Sequence, residues 1–253
     1  EIIEKHAQAA SRAKIAGFDM VQIHGDRLVG EFSSSLINKR TDRYGVNLEG
    51  RMRFGLEIVE RSREKVGNGY PLDFKLPIRI PDNTESKSSV TLEEAKVFAI
   101  KLEETGVDLL HVSVANHFGL HKVMTPMGTV SHGFFVHVAE EIKKVVDIPI
   151  TTTGRIYDPV LAEKILQDGK ADLIAMGRAL IADPEWPRKA AKRKYDEIRT
   201  CIACNQGCVS VPSPLSCSIN ATAGRERESR ITRAEKPRRI LVVGGGPAGM
   251  ETA

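Results

Sequence analysis

The four cysteines of the chain all fall between positions 201 and 217. Three lie in Cys201-Ile-Ala-Cys204-Asn-Gln-Gly-Cys208, and the fourth, Cys217, follows a Pro-containing loop. Thiolates so close together, on a turn built from Asn, Gln and Gly, can converge on one metal centre while a fourth arrives from beyond the loop. Zinc sites more often use two separated Cys-x-x-Cys pairs, so this spacing favours an iron–sulfur cluster, with structural zinc or unligated thiols as the alternatives. A disulfide framework does not suit so local a cluster in so large a chain.

Glycine–basic turns are the second signal. Gly154-Arg155 and Gly177-Arg178 each follow a short apolar run. Exposed backbone N–H groups beside a cation are what a phosphate needs, so the pair points to a phosphorylated ligand. A third glycine run, Gly244-Gly-Gly246-Pro-Ala-Gly249, follows Arg239-Ile-Leu-Val-Val243. That order, strand then Gly-x-Gly-x-x-Gly, is the context in which a backbone approaches a dinucleotide pyrophosphate. Lys75, amid Phe74 and Leu76, is costly in a buried strand unless it meets a carboxylate or an anionic ligand. His24 closes another apolar run, while His117, His121 and His132 occupy a long loop of the kind that covers sites at a barrel rim.

Parallel strands must position these groups. Ala16 to His24, Thr105 to Ser113 and Asp168 to Gly177 echo one another: a helical stretch closes on Gly, an Asp follows, then a short apolar run. Glycine there fits a helix C-terminus, and the run fits a strand buried on both faces. Leu72 to Leu76 and Ile148 to Thr153 complete five strands alternating with helices. Helix starts are legible at Thr91, with Glu94 three residues on, and at Asp158 before Pro159. Repeated strand–helix alternation predicts a parallel sheet. A closed (β/α)8 barrel takes about 250 residues, yet the alternation ends near Asp183 after five strands, so three units are expected to be missing from a TIM barrel. The start in mid-helix and the stop just after a glycine turn fit a chain cut at both ends.

The composition excludes several classes. With 253 residues and 41% apolar side chains the chain is an ordinary globular one, not disordered, collagenous or coiled-coil. No apolar run approaches the length of a membrane span. Lys plus Arg (37) exceed Asp plus Glu (33) only slightly, which calls for no nucleic-acid partner.

Taken together, Ile23-His-Gly25, the run Asn38-Lys-Arg-Thr-Asp-Arg-Tyr-Gly45, Leu48-Glu-Gly-Arg51, the two glycine–arginine turns, the cysteine block and Gly244 to Gly249 resemble the old yellow enzyme superfamily. The resemblance covers the whole chain. It is to the long multi-centre branch of 2,4-dienoyl-CoA reductase, 2-enoate reductase, trimethylamine dehydrogenase and the bile-acid NADH:flavin oxidoreductases. It implies an α/β fold: the C-terminal part of a TIM barrel (strands 4–8, residues 1–190), an iron–sulfur segment and linker (191–236), and the start of a Rossmann-like FAD/NAD domain (237–253). The implied cofactors are FMN, a 4Fe–4S cluster held by Cys201, Cys204, Cys208 and Cys217, and FAD, with NAD(P)H as reductant. Gly154, Arg155, Gly177 and Arg178 would hold the FMN phosphate. Lys75 would stand beside the flavin N1 and O2, where the family carries Arg or Lys, and a cation there stabilises the reduced flavin. Gly244, Gly246 and Gly249 would meet FAD. His24, Arg27 and His121 would face the substrate carbonyl.

One departure bears on mechanism. After the His-Gly pair the family places a Tyr that can protonate the substrate carbon, whereas here the run is Asp26-Arg-Leu-Val-Gly-Glu-Phe32. Tyr44 belongs to the downstream structural signature and is no substitute. Asp26-Arg27 resembles the bile-acid members. The implied activity is reduction, or in reverse formation, of a C=C bond conjugated to a carbonyl in a small molecule such as an enoate, an enoyl-CoA or a 3-oxo-steroid. Amine dehydrogenation is the alternative within the family, and a non-catalytic piece with structural zinc the alternative outside it. A cytoplasmic setting is expected from the oxygen sensitivity of such clusters, a homo-oligomer is open to the chain, and five strands alone are not expected to bind FMN well.

Overall fold

The structure, a computed structural model, describes residues 1–78, 90–114, 130–209, 215–229 and 232–253. Its frame is a parallel sheet of five strands, β1 (Val21–His24), β2 (Leu72–Ile78), β3 (Leu109–Val114), β4 (Ile150–Thr152) and β5 (Leu173–Ile174), paired strictly in chain order. The register sets His24 opposite Lys75, Lys75 opposite His111, and His111 opposite Thr151. Because side chains alternate along a strand and paired residues share a face, this register sorts the sheet into two unlike surfaces.

One surface carries Ile23, Phe74, Leu76, Leu110, Val112 and Ile150, all buried. Helices α3 (Leu48–Val66), α4 (Leu92–Thr105) and α5 (Val136–Lys143) cover it, inserting Met52, Ile58, Phe98, Leu102 and Ile142. Burying each such side chain contributes about 1.5–3 kcal/mol, so this layer holds the sheet's curvature against the helices. The opposite surface carries Gln22, His24, Asp73, Lys75 and His111, the polar row expected inside a barrel mouth. Helix α1 (Ile2–Ile15) packs beside α3, and α2 (Leu28–Ser33) follows β1.

The helix ends obey their local chemistry. Thr91 and Glu94 form a reciprocal capping box on α4, which stops at Gly106 in the left-handed region, φ +102°. Asp158 accepts from the Val160 N–H at the start of α6 (Pro159–Gln167). The repeated Gly-then-Asp pattern acquires a reason. Asp108 Oδ2 accepts from the Leu72 N–H at 2.7 Å, and Asp172 Oδ2 accepts from the Ile150 N–H at 2.8 Å. Each aspartate thus satisfies the first amide of the preceding strand, which the ladder leaves without an acceptor, and each is steadied by a cation, Arg63 or Lys143.

After β5 come α7 (Arg178–Ala182), α8 (Trp186–Ala191) and a short 3₁₀ turn at Tyr195–Glu197. One expectation fails: residues 239–243 form no strand. Ile240, Leu241 and Val243 are 75%, 88% and 89% exposed, because among the described residues no second strand lies alongside to take up their amides. The glycine turn beyond it does form, leading from Gly244 (φ +118°) into α9 (Pro247–Thr252). A Cβ on Gly249 would stand 1.9 Å from the Gly244 carbonyl oxygen, so only glycine lets this helix close on its own turn. No helix among the described residues is long and apolar enough to cross a membrane.

Replacing Asp108 by Ala strands the Leu72 amide and leaves Arg63 without its carboxylate. A loss of about 1–3 kcal/mol in urea unfolding is expected. An unchanged midpoint would show that the aspartate echo has no structural purpose.

Candidate functional site

The inner face of the sheet places a cation where β1 and β2 meet. Lys75 Nζ lies 2.6 Å from Asp26 Oδ2, and Asp26 is 1% exposed. The pairing anticipated for Lys75 is therefore met by a carboxylate from the turn just beyond His24. His24 is the last residue of β1 and shares the inner face with Lys75. Its pKa is lowered, first by burial and then by the Lys75 charge, which keeps the imidazole neutral at physiological pH. Arg27 begins α2 and is exposed.

Asp73 and His111, on the same face, are functional-looking residues that sequence reading passed over. Gln22 Nε2 donates to Asp73 and lies 3.2 Å from His111 Nδ1. Burial raises the Asp73 carboxyl to about 6, and burial together with Lys75 and His24 lowers His111 to about 4. Only the strand register, which turns these side chains inward, could have exposed them. Tyr44 donates to Glu57 Oε2 at 2.8 Å and packs edge-on against Phe32 and Phe54, while the Asn38 amide bridges the Phe32 and Tyr44 carbonyls at 2.7 Å each. The run from 38 to 45 is thus a stitched structural turn.

The two glycine–arginine turns follow β4 and β5. Gly154 has φ +119°, and a Cβ there would come within 2.7 Å of the Phe135 ring, so the turn requires glycine twice over. Arg155 follows at φ +54°, 9% exposed, with Nη2 3.2 Å from His132 Nε2. Gly177 caps α7 and delivers Arg178. Both guanidinium groups stand 5.9 Å from the centroid of one ring, Tyr157, so the two turns do converge. Tyr157 itself gave no signal in the sequence beyond lying near Arg155.

The four cysteines share one cleft. Cys201, Cys204, Cys208 and Cys217 line one cleft with Arg178, Asn205 and Ser218. Left-handed Ala203 (φ +55°) and Asn205 (φ +57°) wind the first three around it. Ala203 N–H and Ile219 N–H approach the sulfurs of Cys201 and Cys217 at 3.4 Å. The Gln206 N–H and the Ser218 hydroxyl lower the Cys204 pKa, whereas burial and then the neighbouring thiols raise that of Cys208. Gly207 allows the returning chain to pass, since a Cβ there would strike Ser216 at 2.2 Å. Among the described residues no three His, Cys, Asp or Glu side chains close on a single ion. Four thiols lining one cleft are a donor set suited to a metal centre.

This loop is fastened to α7 at three points. Arg178 Nη1 donates to Asn205 Oδ1 at 2.6 Å, Asn220 Nδ2 to the Ile181 carbonyl at 2.8 Å, and the Arg199 N–H to buried Asp183 at 2.9 Å. Lys189 neutralises Asp183 at 2.6 Å. His117 and His121 lie outside the described residues. Gly244, Gly246 and Gly249 form their turn apart from these groups, on an exposed segment.

The chain is similar to several known proteins. An NADH oxidase of Thermoanaerobacter brockii is 46% identical over 260 residues, covering 100% of this chain and 39% of that protein. A bilirubin reductase of Mediterraneibacter gnavus is 40% identical over 256 residues, covering 100% of the chain and 40% of its own length. The solved structure of a 2-naphthoyl-CoA reductase in complex with 2-naphthoyl-CoA superposes with TM-score 0.90 at 33% identity, over 99% of this chain and 38% of that one. The chain therefore spans about two fifths of the length of these relatives. Residues 1–197 match the NADH:flavin oxidoreductase / NADH oxidase family, and with relatives of this closeness the chain belongs to that family of flavoprotein oxidoreductases, in the multi-centre branch of the old yellow enzymes.

Proposed function

We propose that the chain is the middle part of an NAD(P)H-dependent flavin and iron–sulfur oxidoreductase that reduces, or in reverse forms, a C=C bond conjugated to a carbonyl. In this reading residues 1–190 carry FMN, 191–236 the 4Fe–4S cluster, and 237–253 open an FAD/NAD(P)-binding unit. The observation that carries it is Arg178: one residue serves the convergent glycine–arginine turns and also lines the four-thiol cleft. When bound, FMN supplies hydride transfer to carbon, the cluster single-electron transfer, and FAD acceptance of hydride from the nicotinamide.

The chain's own residues then have separable tasks. Arg155 and Arg178 offer paired positive charge to a phosphate, on turns that glycine keeps open. Lys75, held by Asp26, presents a fixed cation on the inner face, suited to charge that develops on a reduced isoalloxazine edge. Neutral His24 donates a hydrogen bond to the carbonyl oxygen of the substrate, as do Arg27 and His121 in this reading, and so favours the enolate. The amine-oxidation alternative needs aromatic rings around a cationic substrate. The inner faces of β1 to β3 instead present Gln22, His24, Asp73, Lys75 and His111, a row with a cation of its own, which disfavours it.

Three outcomes test the reading. The anaerobically isolated holoprotein is expected to oxidise NAD(P)H on addition of an enoyl thioester, a cinnamate-like enoate or a 3-oxo-Δ4-steroid; a preparation replete in flavin and iron that reduces none of these counts against it. Cys204→Ser should lower bound iron severalfold with the far-ultraviolet spectrum intact, and full iron retention would remove Cys204 from the ligand set. Lys75→Met leaves Asp26 buried without its cation, so unfolding free energy should drop by about 3 kcal/mol and recover in large part in the Asp26→Asn/Lys75→Met double variant. Equal losses in single and double variants would mean that the pair is not coupled.

A further inference from the structure

Tyr157 has no place in the assignments above, yet its surroundings are unusual. The residue is 4% exposed, and its hydroxyl is buried with no hydrogen-bond partner among the described residues. Its ring cannot turn aside. Trp186 Nε1 donates to the Tyr157 carbonyl at 2.7 Å, the His132 ring meets it edge-on at 5.7 Å, and the Arg155 and Arg178 guanidiniums stand against it. Cys201 packs into the same apolar cluster, with its thiol beside the phenol oxygen. An orphaned buried hydroxyl costs about 1–3 kcal/mol, so a rigid phenol aimed at a thiol is a group waiting for an acceptor.

We infer that Tyr157 donates its O–H to the Cys201 thiolate once that thiolate ligates the iron–sulfur cluster, and thereby raises the potential at which the cluster takes up an electron. The inference rests on the cluster reading of the cysteine cleft. Reduction by one electron adds negative charge to the cluster and its sulfurs, and a donor to a ligating sulfur favours the more negative form. Cys201 would then carry two donors, the phenol and the Ala203 amide, whereas Cys217 has the Ile219 amide. Tyr157 is a positioning and tuning residue in this scheme, acting through the thiolate.

The test is an EPR-monitored potentiometric titration of the anaerobically isolated holoprotein, wild type against Tyr157→Phe, which deletes the donor and keeps the ring. The midpoint of the cluster should fall by about 59 mV, the one-electron equivalent of a tenfold shift in the reduction equilibrium, with iron content unchanged. An unchanged midpoint with the cluster in place overturns the inference and leaves the cluster reading standing. A wild-type protein without iron or a cluster signal overturns both. Should the phenylalanine protein not take up iron, Tyr157→Leu is titrated instead with the same fall expected; loss of iron from both variants assigns the ring a packing role and also overturns the inference.

Discussion

Helix α7 is only five residues long, yet both halves of the candidate site hang on it. Its first turn grows out of Gly177 at the end of the sheet, and its last carbonyls and the Asp183 that follows hold the cysteine loop. Asp183 is fully buried, which would be costly for a carboxylate without the Lys189 ammonium and the amides of Glu185 and Arg199 that surround it. Its pKa is lowered despite the opposing effect of burial, so these partners outweigh desolvation. The loop around Cys201 is therefore not a free appendage. It is registered to the last strand of the sheet through charge-assisted contacts of normal length, and a displacement of α7 would move both the arginine and the thiols together.

That coupling gives the polar inner face its meaning. A sheet with an apolar outer surface under α3, α4 and α5 could have carried any inner row. This one carries a lysine neutralised by a buried aspartate, a neutral histidine, and an aspartate–glutamine–histidine group below them. Three cations stand on or just beyond the strands, Lys75 on β2 and Arg155 and Arg178 after β4 and β5. Asp26 adds a constraint of its own. By holding Lys75 from the turn beyond β1, it fixes the direction of a flexible side chain that would otherwise lose rotamer freedom on engaging a ligand.

Much of this was legible beforehand, for reasons that differ by residue. Thr91 with Glu94, Asp158 with Pro159 and Gly106 are local chemistry, decided within four residues, and each cap formed as read. That the four cysteines share one cleft was legible because thiols within 17 positions are brought together by short loop closure. The run 239–243 is not a strand here because strand formation is not local: an extended apolar segment becomes a strand only when another supplies its hydrogen bonds, and among the described residues none lies beside it.

The amino-acid order alone determined the alternation of helices and strands, the caps, the glycines that the turns require and the clustering of thiols, because each depends on backbone preferences or on short loop closure. The tertiary structure decided which polar side chains meet. Asp26 and Lys75 are 49 positions apart, Gln22 and His111 are 89 apart, and Tyr157 and Cys201 are 44 apart. Their encounters follow from strand register and from the packing of α7 and Trp186, and a register shift of one residue would have turned every inner-face group into the apolar layer.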